Sequence, residues 1–138
     1  MGRLRMGKIR KKILLIDDDE ETLINLRIML RGRDFEIFHA LTGDDGLARL
    51  KEEQFDLIVL DIMMPKDSGF RCLDRLRQEM KIMTPVLVYS ALDDWDAFRS
   101  AVKRGAQDYL KKAPETDGAK FLAAVDDLVY GPQRRRSA

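Results

Sequence analysis

Five short apolar runs punctuate the chain: KILLI (12–16), FEIFHA (35–40), DLIVL (56–60), PVLVYS (85–90) and QDYLK (107–111). DLIVL is continuous rather than alternating, the pattern of a strand covered on both faces, which suits a parallel sheet. Between the runs, apolar residues recur at helical spacing: Leu23, Leu26, Ile28 and Leu30, then Leu47 and Leu50, then Phe70, Leu73 and Leu76. Ala97, Phe98, Ala101 and Val102 repeat it, followed by Phe121, Leu122, Val125 and Leu128. Thr42 followed by Asp45 resembles a capping box, while Asp67 or Ser68 and Asp93 or Asp94 are candidate N-caps. Gly32 and Gly105 stand where helices should stop. The alternation predicts an α/β fold, with one parallel five-stranded sheet wound by right-handed crossovers and helices on both faces.

Composition narrows the class. The 138 residues fit one domain, with no room for a separate catalytic or output domain, and 45% apolar residues mark a globular chain. No apolar run approaches the ~20 residues that span a bilayer. The N-terminal MGRLRMGKIRKK has charge but no apolar segment of a secretory signal. A single cysteine cannot build a disulfide or a cysteine-rich metal site, so the reducing cytoplasm is the expected compartment. The net charge of +1 hides an asymmetry. Arg3, Arg5, Lys8, Arg10, Lys11, Lys12 and Arg134 to Arg136 lie at ends that carry no acid, so the body between them is acidic. Residues 1–11 and 131–138 read as basic tails around a domain at 12–130. Neither tail adds aromatics or a recognisable binding motif, so nucleic acid is not the expected partner.

Open parallel sheets place their sites outside the carboxyl ends of the strands. The first strand ends in Asp17, Asp18, Asp19, Glu20 and Glu21, the third in Asp61, the fourth in Ser90, and the fifth runs into Lys111 and Lys112. Carboxylates converging on one edge repel each other and must take up protons or a cation. Oxygen ligands without His or Cys point to Mg²⁺. Some of the acids from Asp18 to Glu21 can instead cap and charge the first turn of a helix. Asp61 has fewer bland uses, because it closes a fully apolar run.

The segments ILLIDDDEET (13–22), DLIVLDIMMPKDSGF (56–70), PVLVYSA (85–91) and RGAQDYLKKAP (104–114) resemble the receiver domain of bacterial two-component response regulators. The resemblance covers residues 11–130 and implies a flavodoxin-like (βα)5 fold. It implies Asp61 as phosphoacceptor, Asp17 and Asp18 as Mg²⁺-binding acids, and the Met63 carbonyl as a further metal contact. It implies Ser90 and Lys112 as partners of the phosphoryl group, Tyr109 as an aromatic switch residue with Ser90, and Pro65 and Gly69 as the turn beside the acceptor. The implied cycle is Mg²⁺-dependent phosphorylation of Asp61, hydrolysis in the same site, and a change in the face formed by the fourth helix, fifth strand and fifth helix. A histidine kinase or phosphotransfer protein would be the donor and a downstream protein the target, with a homodimer through the same face also open to the chain. Such a protein serves its own phosphorylation and is not a turnover enzyme.

Lys112 is followed by Ala113 and then Pro114, where the family often has Lys-Pro, so a trans bond after Lys112 is expected. Spacing from Tyr109 favours Lys112 over Lys111 as the phosphate partner. Met63 and Leu92 occupy positions that, by the resemblance, flank the acyl phosphate, and two apolar side chains there predict a long-lived phosphoryl form. His39 and Cys72 read as structural, and Trp95 as partly packed. A haloacid-dehalogenase-like phosphatase fits less well, because Asp17-x-Asp19 continues into Glu20-Glu21 and no cap insertion is present. Neither G-x-G-x-x-G nor G-x-x-x-x-G-K-[ST] occurs, which disfavours a nucleotide enzyme. A receiver-fold platform that works without phosphate is the remaining alternative.

Overall fold

A computed structural model describes residues 10–65, 68–92, 94–112 and 118–131. Asp67, Asp93, Ala113, Pro114 and Arg134 to Arg136 lie outside these residues, as does most of both basic ends. The elements are β1 (Lys11–Ile16), α1 (Glu20–Met29), β2 (Phe35–Ala40), α2 (Gly43–Glu52), β3 (Leu57–Leu60) and α3 (Gly69–Asp74). They continue with β4 (Val86–Ser90), α4 (Trp95–Lys103), β5 (Asp108–Lys111) and α5 (Gly118–Tyr130). Lys11, read from sequence as the last tail residue, opens β1 opposite Phe35.

All strand pairs are parallel and the order is β2-β1-β3-β4-β5, the doubly wound flavodoxin-like arrangement. Alternation splits the core across the sheet. Ile13 and Leu15 of β1 with Leu57 and Val59 of β3 face Leu23, Leu26, Phe121 and Val125 of α1 and α5. Leu14, Ile16, Ile58 and Leu60 face Leu47, Leu50, Leu73, Leu76 and Ala101 on the other side. Both faces of the central strands are therefore dry, which is why their sequence shows no polar alternation.

The caps follow the sequence signals where they are described. Thr42 accepts the Asp45 N–H, Ser68 accepts the Phe70 N–H and Asp94 accepts the Asp96 N–H. Gly32 and Gly105 have φ of 84° and 108°, the left-handed geometry of a helix stop. Two of the residues assigned to apolar stripes point outward. Ile28 is two positions from Leu26 and Val102 one position beyond the buried Ala101, so each is rotated off its stripe and exposed. The third helix also departs from expectation. After Asp74 it continues as a wider π turn over Arg75–Glu79, closed by the Met80 N–H donating to the Arg75 carbonyl at 3.0 Å. Among the described residues no helix is long and apolar enough to cross a membrane.

Candidate phosphoacceptor and metal site

Ile16 and Leu60 are register partners in β1 and β3, so the residues that follow them leave the sheet side by side. The Asp61 N–H donates to the Ile16 carbonyl (3.0 Å) and the Asp17 N–H to the Ala40 carbonyl (3.1 Å), which ties both acids to the sheet edge. β1 lies between β2 and β3 where the winding reverses direction, the place where such sheets hold ligands. Asp17 is 2% exposed and Asp61 4%, while Asp18 faces solvent. One carboxylate oxygen from each of the three lies within 4.8 Å of the others. Asp19 does different work. It caps α1 by accepting the Glu21 N–H and the Thr22 hydroxyl, and its own N–H donates to Asp17 Oδ1 (2.9 Å).

Lys112 reaches into this cluster. Its Nζ donates to Asp17 Oδ2 at 2.9 Å and to Asp61 Oδ2 at 3.3 Å. Lys111, one residue earlier, is exposed and stands opposite Ser90 in the β4–β5 ladder. The other Asp61 oxygen, Oδ1, accepts the Met63 N–H (3.0 Å), so both oxygens of the carboxylate are held. The Met63 side chain is 52% exposed. Behind Asp61 the chain turns so tightly that a Cβ on Gly69 would lie 2.4 Å from the Asp61 carbonyl oxygen. Ser90 is fully buried at the end of β4, and its Oγ accepts the Leu92 N–H (3.3 Å). The Leu92 carbonyl in turn accepts the Tyr109 hydroxyl (2.6 Å). A two-bond backbone relay thus joins Ser90 to Tyr109.

Burial raises the Asp17 carboxyl above its ordinary value, and the Asp61 charge adds to this, against the Asp19 N–H and Lys112. Burial pulls Lys112 the other way. The Asp17 hydrogen bond and the charges of Asp61 and Asp17 outweigh it, so the ammonium is held above its usual range. The pocket therefore carries more negative charge than one lysine balances. An all-oxygen donor set of this kind fits a hard divalent cation such as Mg²⁺.

Of the residues singled out in the sequence, Asp17, Asp18, Asp61 and Lys112 are brought together, and Ser90 and Tyr109 are joined through Leu92. Pro65 lies in the exposed loop after Asp61 and Cys72 is buried within α3. His39 lies on the exposed side of β2, where its Nδ1 is 2.8 Å from the Arg27 guanidinium. Trp95 is more open than expected, 67% exposed, stacked on Phe98 at a centroid distance of 5.2 Å. Sequence reading missed the part Leu92 plays through its backbone, which no side-chain signal could have revealed.

The match to known proteins agrees with this geometry. The family model of the response regulator receiver domain matches residues 13–126. The alkaline phosphatase synthesis transcriptional regulatory protein PhoP of Bacillus subtilis is 36% identical over 119 residues, covering 85% of this chain and 49% of that protein. The cell cycle transcriptional regulator CtrA of Caulobacter vibrioides is 34% identical over 118 residues, 86% of this chain and 50% of that protein. This chain spans about half the length of these relatives. Among solved structures, the response regulator TrrA of Thermotoga maritima, in complex with Mg²⁺ and beryllofluoride, superposes with a TM-score of 0.74 at 26% identity. That match covers 86% of this chain and 98% of that one. By its sequence, its strand order and its acid-lined sheet edge, the chain belongs to the response regulator receiver domain family of two-component systems.

Proposed function

We propose that the chain is a Mg²⁺-dependent phosphoryl acceptor whose state at Asp61 is read by a protein partner on the face formed by α4, β5 and α5. The observation that carries this is the meeting of Asp17, Asp18 and Asp61 with the Lys112 ammonium at one edge of the sheet. Asp17, Asp18, Asp61 and the Met63 carbonyl would hold Mg²⁺, which when bound supplies positive charge to the transferring phosphoryl oxygens. The protein supplies the rest. Asp61 attacks phosphorus as a carboxylate, the bond from phosphorus to the donor's leaving group breaks, and an aspartyl phosphate forms. Lys112, already within hydrogen-bonding distance of Asp61, moves with the new charge and pairs with a phosphoryl oxygen. Ser90 offers its hydroxyl to another.

That demand on Ser90 competes with its hydrogen bond from the Leu92 N–H, so phosphorylation pulls on the relay to Tyr109. The donor is a histidine kinase or phosphotransfer protein in the cytoplasm, where the single thiol of Cys72 stays reduced. Hydrolysis of the acyl phosphate in the same site resets the chain. The test is intact mass after incubation with acetyl phosphate. One adduct that needs Mg²⁺, disappears in EDTA and is absent from Asp61→Asn is the expected result. An adduct that persists in Asp61→Asn would overturn the assignment, and a protein that binds neither phosphoryl nor Mg²⁺ with beryllofluoride is a phosphate-independent platform.

A further inference from the structure

The two ends of α4 are held in different ways. At its C-terminal end the Gly105 N–H donates to the Val102 carbonyl and the Ala106 N–H to the Ala101 carbonyl, both at 3.0 Å, closing the helix in a Schellman motif. The side chain of Arg104, the capping residue, then ties this end to α3 twice and braces its own helix once. It forms an ion pair with Asp74, its guanidinium lies 5.0 Å from the centre of the Phe70 ring, and its Nε donates to Ser100 Oγ (3.1 Å). Arg77, from the π turn, adds a second clamp by donating to the Gly105 carbonyl from Nε (3.2 Å) and Nη2 (2.8 Å). The same guanidinium holds the Ile82 and Thr84 carbonyls and the Gln107 side chain, so Gly105 is fixed to the foot of β4 and β5.

Among the described residues the N-terminal end shows no such ties to α3. The side-chain hydrogen bonds of its first turn stay within it, the Asp96 N–H donating to Asp94 Oδ1 and the Arg99 guanidinium to Asp96 Oδ1. Its link outward is aromatic. Trp95 stacks on Phe98, and Phe98 meets the edge of Tyr109 at 5.9 Å. Tyr109 in turn is bonded to Leu92, the residue that leads into this end of the helix.

We propose that Arg104 is a positioning residue that, with Arg77, makes the C-terminal end of α4 a fixed pivot, so that phosphorylation moves the Trp95–Phe98 end alone. The inference rests on Asp61 being the phosphoacceptor. Phe70 follows Gly69, which packs against the Asp61 backbone, so the pivot is anchored to the helix that starts beside Asp61. The moving end carries the exposed tryptophan, an aromatic anchor of the kind that dominates protein interfaces. The partner surface therefore changes by displacement of one aromatic pair, and not by translation of the helix.

The experiment is amide hydrogen exchange and backbone NMR on the full chain, with Mg²⁺ alone and with Mg²⁺ plus beryllofluoride. Exchange at Trp95 to Phe98 is expected to change by about tenfold or more, and at Ala101 to Ala106 by less than about twofold. In Arg104→Gln the change should spread to Ala101 to Gly105. Arg104→Lys, which keeps a charge for Asp74 but loses the planar stack on Phe70, should lie between. Asp74→Asn gives a second route to the same loosening, should Arg104→Gln fold poorly. Equal change along the whole of α4 in the parent protein would overturn the pivot, as would an unaltered pattern in the two loosened variants. No response of Asp17, Asp18 or Asp61 to beryllofluoride would overturn the phosphoacceptor reading, and the pivot with it.

Discussion

Gly69 illustrates how one missing side chain lets the chain turn tightly beside Asp61. A methyl group there would meet the Asp61 carbonyl oxygen at 2.4 Å and the Ile62 Cα at 2.5 Å, both backbone atoms that cannot swing aside. Gly69→Ala should therefore cost about 2 kcal/mol in urea unfolding, and slow Asp61 phosphorylation by acetyl phosphate relative to the parent. Arg77 acts at the opposite edge of the sheet. Its guanidinium fork donates to the carbonyls of Ile82, Thr84 and Gly105. Arg77→Ala should destabilise by about 2 kcal/mol, and Arg77→Lys should recover only part, since a point charge cannot span the three carbonyls. Chemical denaturation of the two variants side by side checks both expectations. Asp17 and Asp61 are legible in the sequence because each directly follows an apolar run, whereas Lys112 is told from Lys111 only by the family resemblance and its spacing from Tyr109. Arg77 and Arg104 are not legible, because Gly105 and Asp74, the partners that fix them to other elements, lie 28 and 30 residues away and nothing nearby marks them.

Among elements, the strands were the most legible. A parallel strand buried on both faces has an apolar run that no amphipathic helix imitates, and the sequence limits of β2 agree with those of the structure. The π turn after α3 was not legible, since RLRQE carries no glycine, proline or other local cue. Met63 is half-exposed beside Asp61, and Leu92 is half-buried after Ser90. Their apolar side chains should impede the approach of water to an acyl phosphate. Replacing Met63 with Asn and Leu92 with Glu is expected to change phosphoryl decay by several-fold, followed by loss of the adduct mass after the donor is removed. The Leu92 backbone bonds to Ser90 and Tyr109 remain available in that variant, so an equal lifetime in both proteins would show that these side chains do not gate water.

For the whole molecule, the acid pocket sets how stability depends on pH and metal. Burial raises the folded-state pKa of Asp17 above its ordinary 3.8, so between these two values the folded protein binds more proton there than the unfolded chain does. Metal-free stability should rise as pH falls through that raised value towards 3.8. Lys112 works on the alkaline side. Its contribution is complete below 10.5 and is lost as pH rises through its raised folded-state value. Mg²⁺ at a hundred times its dissociation constant should add about 2.7 kcal/mol, and it should reverse the acid trend, because protons then compete with the ion. Urea midpoints across pH, with EDTA and with Mg²⁺, read all three effects. The strand order bears on a different matter, the sequence of events during synthesis. β1 and β2 can pair first, β3 joins on the other side of β1, and β4 and β5 add outward in the order in which they are made. Asp17 and Asp61 are thus neighbours as soon as β3 docks, whereas Lys112 arrives only with the last strand. In that order the acids would meet before the cation that tempers them, and the closing of β5 onto β4 would both complete the sheet and offset part of the site's charge.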